Sequence, residues 1–366
     1  MVHCQINNKR GDPISFNSLE NLLFKVQYMM ASGQVVPGSL YIYAPNKEAP
    51  IFFTIAFAVS AVGHNWQCLR YRCVRMIGMH PLCAVLFTVG YAMRAYGADG
   101  HYIYNPDSSQ NLLVYILSQV FIYICPPLLE LANYHVLGRL FYYVPNLAPL
   151  PPGKVLAIFG ALMALVEALN ALGVALNANP TGSQQGLGKA LILVSLALQL
   201  CVVLAFVLTA ASFQWRCAKA NIRRRSLPTL LITLDISMGL ILVRCIYRLI
   251  EHVDNTSVDL GDPEGLRSLS PLLRYEWFFY VFEASLMLLN SFLWNVFNPG
   301  RYLPRYPTVY LAADGTTEIE EEEVRNDQHF LVKSAYAAVN ALTFGLFRLF
   351  VRQKDEENHP LTERTK

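Results

Sequence analysis

Three ionisable residues share one face of a predicted helix inside an apolar stretch of the chain. Arg244, Arg248 and Glu251 stand at positions i, i+4 and i+7, which is the spacing of helical neighbours. A charge in the centre of a bilayer costs about 2.5 to 3.5 kcal/mol on insertion scales, so such residues are candidates for a substrate site. The other interpretation is that paired charges hold two helices together.

A second polar set with the same spacing follows in the next apolar stretch. Glu276, Tyr280 and Glu283 again stand at positions i, i+4 and i+7. Two adjacent antiparallel helices would therefore present a basic stripe to an acidic one. We expect Arg248 and Glu283 to be electrostatically coupled, because unpaired charges inside the membrane are costly.

Further polar residues within apolar stretches extend this pattern. Arg94 and Gln119 are predicted near the outer ends of their helices, where they could join the two stripes. Other polar residues lie nearer the middle or the inner side: Glu130, Glu167, Asn170, Asp235 and His64. They suggest a polar track through the bundle. The sequence leaves open whether the ionisable residues form a substrate pathway or a structural ion-pair network. For His64 a structural role is favoured.

The elements that position these residues are apolar helices. The chain is 54% hydrophobic and only 15% charged, against about 25% charged in soluble domains. Apolar runs of about 20 residues, long enough to cross a bilayer, recur along it. They predict an all-α membrane protein with seven transmembrane helices, at Pro50–Leu69, Met76–Tyr96, Leu112–Leu137, Lys154–Leu176, Leu187–Phe213, Leu227–Ile250 and Tyr275–Phe297.

Charge in the connectors predicts the orientation of the bundle, because cytoplasmic loops carry an excess of Lys and Arg. The first, third and fifth connectors hold this excess, as in the Arg223, Arg224 and Arg225 run. The N-terminus is therefore predicted outside and the C-terminus in the cytoplasm. Asn255 begins a glycosylation sequon in a loop that this topology places outside.

Three regions follow from this topology. Residues 1–49 are an extracellular N-terminal segment without the pattern of a cleavable signal peptide, and residues 50–298 form the transmembrane domain. Residues 299–366 are a cytoplasmic tail. Its apolar stretch at 330–352 is interrupted by Lys333, Asn340 and Arg348, which favours a helix lying in the membrane interface over an eighth span.

Several classes of function lack support in the sequence. The eight cysteines are scattered and have no CxxC spacing, so neither a disulfide framework nor a metal knot is expected. The GSQQGLGK segment departs from the phosphate-binding loop pattern and is followed by Ala190. We expect no cofactor, no catalytic residues and no nucleic-acid partner. The expected partners are membrane lipids, and the sequence leaves the oligomeric state open.

The chain resembles a fungal family of lipid-translocating exporters, which includes aminocholesterol-resistance proteins and sphingoid long-chain-base exporters. The resemblance runs in order from Tyr41 to Gly300. It is carried by YIYAP with His64 downstream, GYAMR at 90–94, Gln119, PPLLELANYHVLGR at 126–139, Gln199, LVRCIYRLIE at 242–251, EWFFYVFE at 276–283 and NPG at 298–300.

Some positions depart from the family pattern. Members usually carry an acidic residue just before the GY of the second span, where this chain has Phe87. In the fourth span, Met163 and Asn170 replace a typical Asp and Gln, with Glu167 between them. Glu283 replaces an Asp, and Asn298 replaces a His.

The resemblance implies a plasma-membrane protein that exports or flips amphipathic lipids such as long-chain bases and contributes to resistance to toxic amphiphiles. A sphingoid base has a cationic amine, which a carboxylate could bind. Glu283 is the predicted carboxylate, with Arg248 holding it ionised, Tyr280 as a hydrogen-bond partner, and Leu286 and Met287 in contact with the alkyl chain.

Two other classes remain open. A seven-helix receptor or lipid sensor would share the predicted topology, and Asn298, Pro299 and Tyr302 satisfy an NPxxY pattern. A zinc hydrolase needs about three protein ligands around an open coordination position. Only His64, His80 and His135 lie in or near the predicted spans, without a spacing that connects them.

Overall fold

A computed structural model describes most of the region that the sequence analysis assigns to the membrane. The described residues are 35–36, 38–73, 77–104, 110–177, 184–220, 222, 224, 226–253, 269–304, 309–312 and 317–320. The expected interfacial helix at 330–352 and the sequon at Asn255 lie outside these residues.

The described chain is a bundle of long helices. Six continuous helices are α1 (Glu48–Tyr71), α2 (Met79–Ala98), α3 (Gln110–Tyr143), α4 (Pro152–Asn177), α5 (Gln185–Lys219) and α6 (Ser226–Val253). A single turn at Pro271–Arg274 then leads to a seventh helical stretch, α7, built of three consecutive pieces: Glu276–Phe279, the π-helical Tyr280–Ser285 and Leu286–Val296.

Six of these helices are long and apolar enough to cross a membrane: α1, α3, α4, α5, α6 and α7 with the turn that follows it. The exception is α2, which has 20 residues and includes His80, Pro81 and Arg94. These side chains lower its average hydropathy although most of its inward face is apolar. The expected second span is thus a helix, but one with a weaker membrane signal than its neighbours.

Helix lengths differ from the sequence prediction mainly at the ends. α3 continues to Tyr143 and has 34 residues, so it is about 51 Å long and exceeds a hydrocarbon core of about 30 Å. It tolerates Pro126 and Pro127 in its interior. Proline is accepted in membrane helices because neighbouring helices can satisfy the freed backbone groups.

Helices that follow one another in the chain pack side by side from α1 to α6, and α7 packs against α1 and α6. α4 and α5 approach closely at Gly173 and Gly188, where an added Cβ would lie 2.9 and 2.8 Å from the facing glycine's carbonyl oxygen. Small residues at such crossings allow membrane helices to pack backbone to backbone.

Two short features lie beside the bundle. The segment before α1 is held against the loop after α2 by an antiparallel bridge between Ser39 and Ile103. At the other end, β1 (Val309–Leu311) pairs antiparallel with β2 (Glu318–Glu320), and β1 packs on α3. The sequence analysis did not anticipate these strands, because each has only three residues.

Candidate functional site

Arg94 is the centre of a buried cluster between α2 and the start of α7. Its side chain is only 2% exposed. Nη2 donates to Glu276 Oε1 at 3.1 Å and to the Tyr43 hydroxyl at 3.0 Å, while Nε donates to the Tyr280 hydroxyl at 3.3 Å. The expectation that Arg94 joins the polar stripe of α7 is confirmed, and Glu276 is its ion-pair partner.

The segment before α1 covers this Arg94 cluster. The Asn46 backbone N–H donates to Glu276 Oε2 at 2.7 Å, and the Asn46 side chain accepts from the Glu48 and Ala49 amides at the start of α1. Burial raises the pKa of the Tyr43 phenol well above its usual value, so Tyr43 is a neutral hydroxyl beside Arg94.

Aromatic faces complete the cluster. The Arg94 guanidinium carbon lies 4.6 Å from the ring centroid of Tyr41 and 4.3 Å from that of Phe279. Both distances are within the range of cation–π attraction. Sequence reasoning identified YIYAP only as part of a family resemblance and assigned no site role to Tyr41, Tyr43 or Asn46. The feature that could have identified these residues is the tyrosine-rich YIYAP segment, which lies just before the first apolar run.

A second buried ion pair joins α6 to α7. Arg244 Nε lies 2.6 Å from Glu283 Oε1, and the two side chains are 6% and 1% exposed. The other Glu283 oxygen, Oε2, is buried and accepts no hydrogen bond from the described residues. One carboxylate oxygen inside the bundle is therefore available to another donor.

The direct ion-pair partner of Glu283 lies one helical turn from the residue expected, although the Arg248 charge also acts electrostatically on Glu283. Arg248 Nη1 instead pairs with Glu251 Oε2 on its own helix at 2.6 Å, and Tyr247 donates a longer bond of 3.4 Å to Glu251 Oε1. The Arg248 guanidinium also lies 4.3 Å from the Tyr123 ring centroid on α3. Arg244, which the sequence placed on the same face, forms the direct contact with Glu283.

The π-helical piece of α7 explains why its acidic residues have different partners. Glu276 precedes the Tyr280–Ser285 segment and Glu283 lies inside it. A π turn closes one residue later than an α turn, so residues after its start are rotated relative to a regular helix. As a result, Glu276 contacts α2 and Glu283 contacts α6. A spacing rule for regular helices does not predict this rotation.

Gln119 contributes to neither ion pair in the described part of the chain. It is half-buried on α3, next to the fully buried Ser118. Successive residues of a helix are about 100° apart, so Gln119 lies to one side of the inward face. The structure thus brings together Arg94, Tyr280 and Glu276, and separately Arg244 with Glu283, but it shows no contact of Gln119 with either group among the described residues.

A third polar centre lies deeper, around Glu130 on α3. Gln199 Nε2 of α5 donates to Glu130 Oε1 at 2.6 Å, and the Tyr134 hydroxyl donates to Oε2 at 3.3 Å. The Cys245 thiol of α6 lies 4.0 Å from Oε1. Glu130 itself is 1% exposed. Glu130 was predicted nearer the middle or the inner side of the membrane, but its contacts with α5 and α6 were not predicted.

His64 and His80 are buried side by side, and the His80 ring also lies against Trp294 of α7. His64 Nε2 donates to the Ser291 carbonyl at 3.1 Å, and its ring stacks on His80 at a centroid distance of 5.8 Å. The described residues contain no group of three or more His, Cys, Asp or Glu side chains that could hold a metal ion.

The NPxxY match falls at the end of α7 rather than inside it. Asn298 begins the turn Pro299–Arg301, accepts from the Gly300 amide at 2.9 Å and donates to Gln67 of α1 at 2.6 Å. It therefore joins the ends of α1 and α7.

Together the long apolar helices and the buried ion pairs define an integral membrane protein of the helical-bundle class. The sequence profile of the family described as RTA1 like protein matches residues 81–306 of the chain. The chain belongs to this family.

Curated relatives agree with this assignment. A lipid-translocating exporter-like protein RTA1 of Leptosphaeria maculans is 50% identical over 337 residues, which cover 90% of this chain and 63% of the relative. The chain thus spans less than two thirds of that relative's length. A protein of the same name from Ajellomyces capsulatus is 29% identical over 65% of this chain and 72% of its own.

A more distant relative is a probable lipid transporter, atnI, of Emericella nidulans. It is 24% identical over 74% of this chain and 71% of its own length. No solved structure matches the chain.

Proposed function

We propose that the protein is a membrane transporter that exports or flips amphipathic lipids with a cationic head, such as sphingoid long-chain bases, and thereby contributes to resistance to toxic amphiphiles. The observation that carries the proposal is the Glu283 carboxylate, which is buried in the bundle and whose Oε2 has no hydrogen-bond partner in the described part of the chain. The names of the curated relatives support a lipid transporter rather than an enzyme.

The chemistry of Glu283 suits a lipid ammonium group. A buried carboxylate oxygen without a donor costs free energy, on the order of 1 to 3 kcal/mol or more for a charged group. An ammonium on the lipid head would supply that donor and a compensating charge. Arg244 holds Oε1 at 2.6 Å and so fixes the orientation of the carboxylate before the lipid arrives.

Tyr280 supports the head-binding side of this proposal. Its hydroxyl already accepts a hydrogen bond from Arg94, and its ring stacks on Phe53 at a centroid distance of 5.4 Å. The phenol is therefore held on the buried face of α7 that also carries Glu283. It can contribute a second polar contact to an amino alcohol head.

The alkyl chain would remain in lipid. Met287, which we expected to contact it, is fully buried in the core, and Leu286 is half-buried. The apolar side chains that α7 exposes instead include Val281 and Leu289, at 44% and 56%. A lipid whose head reached Glu283 could keep its tail along this exposed face.

The proposed topology has seven spans with the N-terminus outside, residues 50–298 as the membrane domain and a cytoplasmic tail from 299 to 366. The plasma membrane is the proposed location. The exposed Trp215 and Lys219 near the end of α5, with the Lys219 ammonium 5.3 Å from the indole centroid, are typical of an interfacial belt on a basic side.

The test is a Glu283→Gln variant expressed in cells challenged with a toxic long-chain base. Gln keeps the shape of Glu but removes the charge, so we expect normal surface abundance and loss of protection. Glu320→Gln is the matched control, because Glu320 is exposed and lies in β2. Full protection by Glu283→Gln at normal abundance would exclude this role for Glu283.

Direct transport separates an exporter from a receptor or sensor. Purified protein in liposomes should move a fluorescent long-chain base between leaflets, and Glu283→Gln should not. Protection in cells without any such movement in liposomes would favour the sensor.

A further inference from the structure

Glu130 is a buried carboxyl group that no cationic side chain of the described residues pairs with. Its described contacts are the Gln199 amide, the Tyr134 hydroxyl and the Cys245 thiol, and it forms no ion pair among the described residues. An ionised carboxylate in such an environment is far more costly than the neutral acid. Glu130 therefore carries a proton when the bundle is in the conformation described.

The proton has a specific place on the carboxyl group. Oε1 is held by the Gln199 amide at 2.6 Å, which requires an acceptor. Oε2 has the longer contact, 3.3 Å, to the Tyr134 hydroxyl, which can accept as well as donate. The proton therefore lies on Oε2, which then donates to the Tyr134 hydroxyl, whereas in the ionised carboxylate that hydroxyl donates to Oε2. The Gln199 amide is already placed to stabilise the anion that forms when the proton leaves.

Each neighbouring element contributes to the field at Glu130. α4 brings Glu167, which repels a second negative charge, while α6 brings Arg244, which attracts it, together with the Cys245 thiol. α3 itself adds Tyr134, and α5 adds the uncharged Gln199. α2 also packs on α3, and there its Cys83 thiol donates to the Cys125 carbonyl of α3 at 3.7 Å.

Arg244 connects this group to the proposed lipid site. Its guanidinium is paired with Glu283 at 2.6 Å, and its positive charge also acts on Glu130 across the interface between α3 and α6. A lipid ammonium bound at Glu283 would neutralise that carboxylate. The Arg244 charge would then be uncompensated, and Glu130 is a carboxyl group already within its field.

We propose that Glu130 is a proton-binding residue that releases one proton when a lipid cation binds at Glu283, so that the protein exchanges protons for lipid cations. This inference rests on the proposed function. In the step, the Glu130 acid gives a carboxylate and a proton that leaves to water, while the ammonium enters. One positive charge replaces another, so the net charge of the buried site is unchanged.

Proton release on binding can be measured directly with the purified full chain. Isothermal titration calorimetry with a long-chain base at about pH 6.5, in two buffers of different ionisation enthalpy, gives the number of protons released per lipid bound. A quaternary trimethylammonium analogue, which cannot lose a proton itself, is the second probe. We expect about one proton per cation for wild type with either probe.

Two variants identify the source of the proton. Glu130→Gln mimics the neutral acid and should bind lipid with no proton release, whereas the exposed-carboxyl control Glu320→Gln should release about one proton, as wild type does. Release that persists in Glu130→Gln, or wild-type binding without any release, would overturn the inference. Absence of lipid binding by wild type would instead count against the proposed function.

A measurement with wild type covers the case in which Glu130→Gln does not fold. The affinity for the quaternary probe should rise about tenfold per pH unit on the acidic side of the Glu130 titration. Gln199→Leu removes the amide that stabilises the anion, so it should shift this curve to higher pH. A flat pH dependence, or a curve that Gln199→Leu leaves in place, contradicts the assignment to Glu130.

Discussion

Arg94 and Glu276 form a buried ion pair although 182 residues separate them in the chain. Arg94 lies four residues before the end of α2 and Glu276 in the first turn of α7, and their side chains are 2% and 9% exposed. The pair also binds Tyr43 and the Asn46 amide from the segment before α1. It therefore fastens three parts of the chain at one end of the bundle.

Breaking this pair on one side should destabilise the protein strongly. Arg94→Leu leaves the Glu276 carboxylate buried without its guanidinium, and removal of one partner of a buried pair typically costs about 3 to 5 kcal/mol. The double variant Arg94→Leu/Glu276→Leu should recover part of that loss. Thermal unfolding of the purified protein measures both. Equal stability of wild type and Arg94→Leu would show that the pair contributes little.

Exchange of charges identifies the true partner of Glu283. Arg244→Glu/Glu283→Arg should restore surface abundance that each single variant loses, because the 2.6 Å contact is re-formed with opposite polarity. Arg248→Glu/Glu283→Arg is the matched comparison and should give no rescue, since Arg248 pairs with Glu251. Rescue by the second exchange but not the first would favour the original assignment to Arg248.

Tyr41 and Tyr43 both lie beside Arg94, and a Tyr→Phe substitution at either position removes the hydroxyl while it keeps the aromatic ring. Tyr43→Phe removes a hydroxyl that accepts from the guanidinium, and a hydrogen bond to a charged group is worth about 1.5 to 3 kcal/mol. Tyr41→Phe keeps the ring that lies 4.6 Å from Arg94 and removes a hydroxyl that takes no part in the described hydrogen bonds of Arg94. We expect a clear fall in unfolding temperature for Tyr43→Phe and little change for Tyr41→Phe. Equal effects would contradict a specific role for the Tyr43 hydroxyl.

The proposed orientation can be tested with single cysteines at opposite ends of the bundle. Asp99, which forms an exposed ion pair with Lys47 at 2.6 Å, follows α2 on the proposed outer side. Lys219 ends α5 on the proposed cytoplasmic side. An impermeant maleimide should label Asp99→Cys in intact cells and label Lys219→Cys only after permeabilisation. The reverse pattern would invert the bundle.

Proton exchange makes a distinct prediction for transport. In liposomes, a pH gradient should drive accumulation of the quaternary lipid probe, whereas a membrane potential alone should not, because the exchange moves no net charge. Glu130→Gln should lose the response to the pH gradient. Transport driven by the potential, with no effect of the pH gradient, would indicate uncoupled movement of the cation.

Some features of the site could be read from residue spacing and some could not. The i, i+4, i+7 pattern correctly placed Glu276, Tyr280 and Glu283 on a buried face of α7. The same pattern failed for the direct pairing of Arg248, because Arg244 and Arg248 share one face of α6 and the axial register of α6 against α7 places Arg244 beside Glu283. Periodicity fixes which residues face inward, whereas the partner depends on where two helices cross.

The amino-acid sequence by itself determined that long apolar helices form the protein, and it identified ionisable residues that such helices bury at a cost. These conclusions depend only on local composition and on the spacing of residues along a helix. The rise per residue and the thickness of the bilayer then show which runs can cross the membrane. Only the tertiary structure decided that Asn46 and Tyr43 cover Arg94 and that Glu130 is held by Gln199 of another helix. It also decided that one Glu283 oxygen has no hydrogen-bond partner among the residues the structure describes. The physical reason is that these contacts join residues far apart in the chain. Whether such residues meet depends on where the helices cross, on the π turn and on side-chain packing, which local sequence patterns do not determine.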